Sequence, residues 1–264
     1  MVKEFPKIDP SAPIIEMTDV AIARQQAEGL LEVEKVNWRV SAGTFWVIGG
    51  LFGCGKSDFL ATATGLQRPA RGVVKLFGYE TFTIKEELLI EHRRRIGLVF
   101  ANGGRLFNRL TIAENIALPI RYHQNWREDE AGESVREILE LTGLTRWAHH
   151  IPSGLSPSWQ QRASLARALS LKPEVLLLDK PLVGMDVRHQ RWWLEFLKNL
   201  SDGISFYQKK PVTIVATAES FEPWKEVAHQ FALLKNNHWQ ELGGPAELAA
   251  NSEPLLREVW TEDI

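Results

Sequence analysis

The sequence predicts an α/β fold with a mainly parallel sheet. Residues 45–48, 175–178 and 212–217 are apolar runs with the length of buried strands, and they lack the alternation of half-buried ones. Residues 134–144 and 187–200 instead carry apolar side chains at the spacing of one helical face. Strands and helices that alternate in this way are typical of a parallel sheet covered by helices. With 264 residues, of which 44% are hydrophobic, the chain is long enough for one such domain spanning 1–264.

A glycine-rich loop follows the first apolar run. From Gly50 to Ser57 it matches the pattern G-x-x-x-x-G-K-[ST] in full. A strand over 45–48, a glycine-rich turn and a helix that is expected to start at Ser57 direct consecutive backbone N–H groups at one point, where a polyphosphate can bind. We expect Lys56 to reach the outer phosphates and the Ser57 hydroxyl to hold Mg²⁺; a chance match of a strand-to-helix turn is the alternative. The predicted nucleotide-binding residues are Gly50, Leu51, Phe52, Gly53, Cys54, Gly55, Lys56, Ser57 and Asp58.

The segment ahead of this loop is expected to form two antiparallel strands. Residues 1–12 contain two prolines and no periodicity, which predicts an irregular lead-in. An ordered element is expected over 13–22 and, after a polar stretch at 23–29, a strand over 33–40 with Val36, Trp38 and Val40 on one face. Residues 13–100 are therefore predicted to hold the N-terminal strands and the phosphate-loop core, with further strands at 72–78 and 95–100.

Helical patterns dominate the next part of the chain. Residues 110–120 and 134–144 have helical spacing, and the whole of 101–165 is predicted to be a helical insert. A helix over 157–171 has Ser156 as its expected N-cap and Pro157 at its first position. The remaining core, 166–264, is predicted to contain the strand that ends at Asp179, a helix over 187–200, a strand over 212–217, a hairpin over 230–242 and a helix over 245–250.

Composition limits the functional classes. The net charge is −2 and the isoelectric point is about 6.4, so no overall basic field favours nucleic acid, and the cluster from His92 to Arg95 is interpreted as a solvated face. Cys54 is the single cysteine, which excludes a disulfide framework and indicates a reducing compartment. The longest charge-free run, 40–55, is too short and glycine-rich to span a bilayer, and no signal sequence is recognised. We expect a cytoplasmic protein that does not cross the membrane itself.

The order and spacing of these motifs resemble the nucleotide-binding subunit of ATP-binding cassette (ABC) transporters, over about 13–260. The resemblance is carried by the phosphate loop and by three segments: Gln160-Gln161-Arg162, the run from Leu165 to Leu169, and the run from Pro173 to Asp179. It implies a P-loop NTPase fold of the ABC-type ATPase class, with ATP and Mg²⁺ as cofactors and with Mg²⁺ held by Ser57 and Asp179.

The same resemblance implies partners and a location. It implies a second ABC subunit, in a homo- or heterodimer, and a separate transmembrane permease subunit on which the helical insert would dock, at the cytoplasmic face of the inner membrane. Within the family, residues 100–107 and 110–120 are similar to the ATPase of the Mla-type phospholipid transporters, which makes lipid a candidate cargo.

Three positions depart from the family pattern. Where the family has the glutamate that polarises the attacking water, this chain has Lys180, whose ammonium group cannot accept a proton. The family's switch histidine corresponds to Ala218, and the glutamine at the head of its helical insert to Ala101. We therefore expect hydrolysis to be impaired, unless another group such as Glu219 positions the water.

Other departures bear on binding. Asp58 replaces a hydroxyl residue that touches the inner phosphate, and its charge should oppose nucleotide while suiting the helix N-terminus. Residues 6–37 contain no aromatic side chain on which a base could stack. The signature segment contains Ser156, Pro157 and Ser158, so it keeps one hydroxyl but loses a backbone N–H. Asp186 corresponds to a dimer-contacting turn of the family, or it simply caps the following helix.

Three functional hypotheses follow. The first is the ATP-binding subunit of a transporter, with binding favoured over hydrolysis. The second is a pseudo-ATPase that serves as a structural or regulatory dimer partner. The third is a soluble ABC-type ATPase that acts on nucleic acid or ribosomes, against which the absence of a second cassette and of a basic face both argue.

Overall fold

The computed structural model describes residues 12–23, 31–101, 106–124 and 128–250. The lead-in at 1–11 and the polar stretch at 24–29 lie outside these ranges, as do residues 102–105 of the Mla-like segment. The strands are β1 (Ile15–Ala23), β2 (Leu31–Val40), β3 (Phe45–Gly49), β4 (Arg71–Leu76), β5 (Tyr79–Glu80), β6 (Ile96–Val99), β7 (Val175–Leu178), β8 (Thr213–Thr217), β9 (Gln230–Lys235) and β10 (His238–Gly243). The helices are α1 (Lys56–Ala63), α2 (Glu86–Arg94), α3 (Ile112–Gln124), α4 (Glu128–Leu141), α5 (Pro157–Leu169), α6 (Val187–Asp202) and α7 (Pro245–Ala250).

One ten-stranded sheet runs through the described residues in the order β5-β4-β1-β2-β10-β9-β3-β8-β7-β6. The predicted α/β class is confirmed. At one end β1 pairs antiparallel with both β2 and β4, so the predicted antiparallel strands are present. Val36, Trp38 and Val40 are all buried, as expected for one covered face. At the other end β9, β3, β8, β7 and β6 are parallel.

Each central strand is buried on both faces, which explains its continuous apolar run. Leu176 and Leu178 of β7 face a core that includes Trp193 of α6, whereas Val175 and Leu177 face a core that includes Phe59 of α1. Alternate side chains of one strand therefore enter two different cores. A third core lies among α3, α4 and α5, in the predicted helical insert.

The carboxyl ends of β3, β7 and β8 lie at one edge of the sheet because these strands are parallel neighbours. Gly49 ends β3, Asp179 follows β7, and Thr217 ends β8. Open parallel sheets bind ligands at this edge. The topology thus brings together residues that are far apart in the sequence.

Several boundaries differ from the expectation. α1 begins at Lys56 and not at Ser57, because Gly55 takes the left-handed conformation at the N-cap. α3 begins at Ile112 and not at Leu110, because Thr111 and Glu114 form reciprocal hydrogen bonds that cap the helix there.

The interpretation of residues 92–95 as a solvated face is wrong. His92 is buried at the C-terminal turn of α2, a helix that was not predicted because its sequence is mostly charged. Arg95 pairs with Glu174 through two hydrogen bonds of 2.7 and 2.9 Å, and Arg94 pairs with Glu91. The basic run thus fixes α2 to the sheet.

Candidate functional site

The loop from Gly50 to Gly55 is held between two well-packed elements. β3 lies between β8 and β9, so the loop starts from the centre of the sheet. On the other side, Phe59 of α1 stacks on Trp239 at 5.0 Å and contacts Trp38 at 5.3 Å. Aromatic contacts of this size contribute stability beyond their buried area, so the start of α1 is fixed relative to the sheet.

Two glycines are needed for the shape of this loop. A Cβ atom on Gly50 would lie 2.6 Å from the Cys54 Sγ and 2.7 Å from the Leu234 carbonyl oxygen, closer than packing allows. Gly55 has φ 87°, in the left-handed region that side chains disfavour. The loop therefore has the close backbone turn that a phosphate cradle requires.

Lys56 is folded back onto its own loop. Its side chain is buried, and its Nζ donates hydrogen bonds to the carbonyl oxygens of Gly50 and, at 2.9 Å, Leu51. Burial lowers the pKa of Lys56 because the charged ammonium loses its water. In this conformation the two carbonyl oxygens hold the Lys56 ammonium group. If a phosphate were bound, the ammonium group would leave these carbonyl oxygens and contact phosphate oxygens.

Ser57 and Asp179 meet although 122 residues separate them. The Ser57 Oγ donates to the Asp179 Oδ2 at 2.7 Å, and the Thr217 Oγ1 donates to the Asp179 Oδ1 at 2.9 Å. Thr217 is fully buried and also accepts a hydrogen bond from the backbone N–H of Lys180 at 2.9 Å. Hydroxyl and carboxylate oxygens are hard ligands of the kind Mg²⁺ prefers, so Ser57 and Asp179 fit that ion.

An open cavity of about 190 Å³ lies over the loop. It carries charges of both signs: Lys56 and Lys180 are cationic, whereas Asp58, in the first turn of α1, is anionic. The backbone and the two cations suit a phosphate chain, and Asp58 opposes it. The cavity is lined by Phe52, Gly53, Cys54, Gly55, Lys56, Ser57, Asp58 and Lys180.

Lys180 lies at the boundary between this cavity and its neighbour. Its Nζ donates to the Glu219 Oε1 at 3.0 Å and lies 4.6 Å from the centre of the Phe52 ring. Lys180 also lines a second cavity of about 200 Å³ together with Ala218 and Glu219. The side chain at the expected general-base position is therefore a paired cation.

The other two expected catalytic positions have no polar side chain. Ala218 is buried directly after β8, and its backbone N–H donates to the Ile48 carbonyl oxygen at 2.9 Å. Ala101 follows Phe100, whose carbonyl oxygen accepts a hydrogen bond from the Gln161 Nε2 at 3.1 Å. The backbone around these positions is thus anchored, while the side chains offer nothing that could orient water.

The signature segment opens α5. Ser156 occupies the N-cap position, but its side chain makes no capping hydrogen bond, contrary to the expectation of a good N-cap. Pro157, the first helical residue, has no N–H, which leaves fewer N–H donors at this end for a cap or for a ligand. Ser158 lines a cavity with Pro157 and with Gly184 of the loop before α6.

An aromatic and arginine cluster, not found from the sequence, holds this segment in place. The guanidinium group of Arg162 lies 4.5 Å from the ring centre of Trp159 and 3.5 Å from that of Trp192. Burial, with a smaller contribution from Arg146, lowers the pKa of Arg162 to about 10. The tryptophans appear scattered in the sequence, and only the fold brings these two together across α5 and α6.

Asp186 caps α6, as the simpler interpretation expected. Its Oδ1 accepts hydrogen bonds from the backbone N–H groups of Arg188 and His189, at 2.9 and 3.0 Å. Its pKa is lowered chiefly by the hydrogen bonds from His189. A role in dimer contact stays a prediction.

Sequence reasoning did not find Thr217 and Phe52 as partners of the expected site residues. Thr217 ends an apolar strand, and a hydroxyl residue at the end of a strand next to β7 is a signal that could have indicated a contact with Asp179. Phe52 was included only as a loop residue. Its contact with Lys180 depends on how the loops approach each other in space, which no local pattern encodes.

The family model described as "ABC transporter" matches residues 33–183, more than half of the chain. The chain belongs to the ABC transporter family. The fold and the phosphate-loop geometry agree with this membership, and proteins of this ABC ATPase family bind ATP, normally with Mg²⁺. Within the described ranges, no helix combines the length and the apolar character needed to span a bilayer.

Curated ABC relatives are 29–32% identical to this chain over the aligned residues. The methionine import ATP-binding protein MetN of Aliivibrio fischeri is 29% identical over 89% of this chain and 66% of its own length. The sulfate/thiosulfate import ATP-binding protein CysA of Nephroselmis olivacea is 32% identical over 82% of this chain and 59% of its own. MetN of Brucella abortus is 32% identical, over 92% and 63%. The chain thus spans less than two thirds of the length of these relatives.

Solved ABC structures share the fold. The dimeric post-hydrolysis state of the ATP-binding cassette MJ0796, bound to ADP and Pi, has a TM-score of 0.76 and 27% identity, and covers 87% of this chain and 99% of that one. CbiO1 of Clostridium perfringens, part of the CbiONQ transporter complex, has a TM-score of 0.77 over 92% of each chain. Its identity of 20% supports similarity of fold alone.

Proposed function

We propose that this chain is the ATP-binding subunit of an ABC transporter, that it binds Mg²⁺-ATP and that it hydrolyses ATP at a rate close to background. The observation that carries this proposal is the hydrogen bond of 2.7 Å between Ser57 and Asp179. It joins the phosphate loop to the acidic end of β7 and presents two hard oxygen ligands beside the cavity. The import ATP-binding names of the relatives support a role in transport.

The binding residues have separate tasks. The N–H groups of the loop and of the first turn of α1 would orient phosphate oxygens. Lys56 would exchange the carbonyl oxygens of Gly50 and Leu51 for a phosphate, while Thr217 keeps Asp179 in one orientation. Mg²⁺, when bound by Ser57 and Asp179, supplies neutralisation of the phosphate charge.

Impaired hydrolysis follows from three side chains. Lys180 cannot accept a proton, and Ala101 and Ala218 have no polar group to align water. Glu219 is the alternative base, but its carboxylate accepts a hydrogen bond from Lys180 at 3.0 Å and is therefore already engaged by that cation. We therefore expect turnover close to background.

The partners proposed are a second ABC subunit and a transmembrane permease subunit. The dimeric state described for MJ0796 supports a second ABC subunit, and the import ATP-binding names of the relatives support a transporter partner. The helical insert over 101–165 would dock on the permease, which places the chain on the cytoplasmic face of the membrane. The altered segment at Pro157 and Ser158 would face the nucleotide of the partner.

Two cargo classes have support from different observations. Residues 100–107 and 110–120 are similar to the Mla-type ATPases, which favours phospholipid. The curated relatives are import proteins for methionine and for sulfate or thiosulfate, which favours a small polar solute. Purification of the native complex from membranes, with identification of its subunits and of co-purified lipid, distinguishes the two.

A non-catalytic structural partner is the second candidate function. It is favoured by Asp58, which adds negative charge to the cavity, and by Lys56, which the loop carbonyls already satisfy. Calorimetric titration of the full chain with Mg²⁺-ATP tests the choice, with Lys56→Ala as the control for the site. Saturable binding that Lys56→Ala removes supports the ATP-binding subunit; no heat from a folded protein supports the structural partner.

Hydrolysis is measured separately, on the purified chain and on the whole assembly. Phosphate release at background from the purified chain is expected. Fast phosphate release that Lys56→Ala abolishes would contradict impaired hydrolysis and would identify Glu219 as the first candidate base.

A further inference from the structure

Lys180 is a cation on the wall of the phosphate-loop cavity, and its attachments are exchangeable. Its side chain is only 15% exposed, yet the carboxylate it contacts, that of Glu219, is 43% exposed. Its other contact is the ring of Phe52, a residue that is 87% exposed. Ion pairs with an exposed partner are weak because water competes for both charges. A stronger anion in the same cavity would therefore compete well for this ammonium group.

The backbone, in contrast, fixes where Lys180 starts. Its N–H donates to Thr217, the residue that also orients Asp179, and its φ of 46° lies in the left-handed region. A side chain adopts that region at a cost, which the surrounding contacts offset. The Lys180 backbone is thus held at the cavity edge, while its ammonium group can exchange Glu219 for another anion.

The charges around the loop act on one another. Lys56 and Lys180 line the same cavity over the loop, and Glu219 accepts a hydrogen bond from Lys180 at 3.0 Å. Lys180 therefore adds a second positive charge to the cavity in which Lys56 would contact phosphate. A polyphosphate in the cavity would be attracted by Lys180 and repelled by Glu219.

We propose that Lys180 is a second phosphate-binding cation of this site and that Glu219 is its resting counter-ion, displaced when a polyphosphate binds. This inference rests on the proposed function, because it requires that the loop binds a polyphosphate. The ligand class is a nucleoside triphosphate or a free polyphosphate chain, which share the group that Lys180 would contact. Lysine in place of the family's acid would then make this position bind the phosphate chain, where the acid would activate water.

A bridge with a purely structural role makes a different prediction. If the Lys180–Glu219 pair only joined the loops after β7 and β8, removal of either partner would disturb the site in the same direction. Exchange of counter-ions requires that the two substitutions change the affinity for polyphosphate in opposite directions. Loss of Glu219 frees the cation and removes a repulsion, whereas loss of Lys180 removes an attraction and leaves Glu219 unpaired.

The test is calorimetric titration of the full chain with Mg²⁺-ATP, for the wild type, Glu219→Gln, Lys180→Met and the double variant. We expect Glu219→Gln to tighten binding about fivefold and Lys180→Met to weaken it about tenfold. In the Lys180→Met background the effect of Glu219→Gln should shrink, because its main partner is gone. Glu222→Gln is the matched control, since Glu222 forms a neighbouring ion pair with Lys225 outside the cavity wall.

Titration with inorganic tripolyphosphate identifies the source of the recognition. Equal fold-changes for tripolyphosphate and ATP assign the effect to the phosphate chain, as the inference requires. Thermal unfolding of each variant confirms that the protein is folded during the titration. Shifts of both single variants in the same direction, or no difference from Glu222→Gln, would overturn the inference.

The failure of the inference and that of the proposed function look different. Binding that depends on Lys56 but ignores Lys180 and Glu219 leaves the proposed function intact and removes the inference alone. No binding of ATP or tripolyphosphate by folded wild type and folded Glu219→Gln overturns both.

Discussion

The loop between β3 and α1 and the loops after β7 and β8 line neighbouring parts of one edge of the sheet, but they differ in what holds them. The first is shaped by backbone: Gly50 has no room for a Cβ, and Gly55 takes a left-handed conformation. The second depends on side chains, and there the positions at which we expect water activation hold Lys180 and Ala218.

This difference shows that shape and chemistry can separate within one site. A phosphate cradle requires glycines and N–H groups, and every change to it disturbs the turn itself. A general base requires one side chain, and at the position where we expect it the backbone N–H of Lys180 donates to Thr217 whatever the side chain is. We therefore expect substitutions in the first region to affect binding and substitutions in the second to affect turnover.

The largest expected effect tests the second region. The triple variant Ala101→Gln, Lys180→Glu, Ala218→His places a general base and two water-orienting groups at the family positions. A positioned base contributes roughly 100- to 10,000-fold to such reactions, so phosphate release should rise by about that factor. Steady-state phosphate release measures it, with Lys56→Ala in the same background as the control.

Background turnover in the triple variant would show that the side chains after β7 and β8 do not by themselves limit hydrolysis. The limiting change would then lie in the signature, where Pro157→Gly in the triple background becomes the deciding measurement.

The next effect tests the first region. Lys56→Ala removes a charge-assisted hydrogen bond to phosphate and should weaken Mg²⁺-ATP binding about 10- to 100-fold. Calorimetric titration measures the dissociation constant. Lys75→Ala is the matched control, since Lys75 pairs with Glu16 in the antiparallel part of the sheet. Equal dissociation constants for the two variants would show that the cradle does not hold the nucleotide.

A smaller effect is expected at Asp58, where the two regions face each other across the cavity. Asp58→Thr removes a like charge from the phosphate site and should tighten Mg²⁺-ATP binding about fivefold. The same change removes a favourable interaction with the N-terminus of α1 and should lower the free energy of unfolding by about 0.3–1 kcal/mol. Calorimetry measures the affinity for Mg²⁺-ATP, and chemical denaturation measures the free energy of unfolding. An increase of both, or a decrease of both, would contradict this account.

The smallest expected effect is a dependence of folding stability on pH through His92. His92 is buried against Phe77 and Tyr79, and its pKa is lowered by burial first and by Arg95 second. Its folded pKa therefore lies below its unfolded value of about 6.5. The unfolded state binds more protons between the two values, so stability is complete above about pH 6.5 and falls as the pH drops below it.

His92→Phe should flatten this acid loss in thermal unfolding between about pH 5 and 7 while leaving Mg²⁺-ATP binding at neutral pH unchanged. His150→Phe, at an exposed histidine, is the control and should retain the wild-type slope. An identical pH slope for wild type and His92→Phe would mean that another group causes the acid loss.

Much of the fold could be predicted because its signals are local. The continuous apolar runs of β3, β7 and β8 require burial on both faces, and the alternation at Val36, Trp38 and Val40 requires burial on one. Helix α2 was missed because it is bound to the sheet by charged contacts such as that of Arg95 with Glu174, which leave no apolar periodicity. Boundaries shifted where a cap decided them, as at Thr111 and Gly55.

The candidate site was less accessible to sequence reasoning. The loop motif and Asp179 are recognised by residue type and spacing, and a parallel sheet predicts that they meet. Contacts between loops have no such rule. The pairing of Lys180 with Glu219 and the position of Phe52 next to them depend on the paths of three separate loops.

The sequence by itself determined the class of fold, the glycine-rich loop with its phosphate-binding pattern and the presence of a lysine at position 180, because glycine spacing, apolar periodicity and the chemistry of a side chain are local properties. Only the tertiary structure decided which groups face one another: that Thr217 orients Asp179, that Lys56 rests on its own loop carbonyls, and that Lys180 has a carboxylate within reach. Electrostatic partners are set by distance in space, and distance in space follows from the packing of the whole chain.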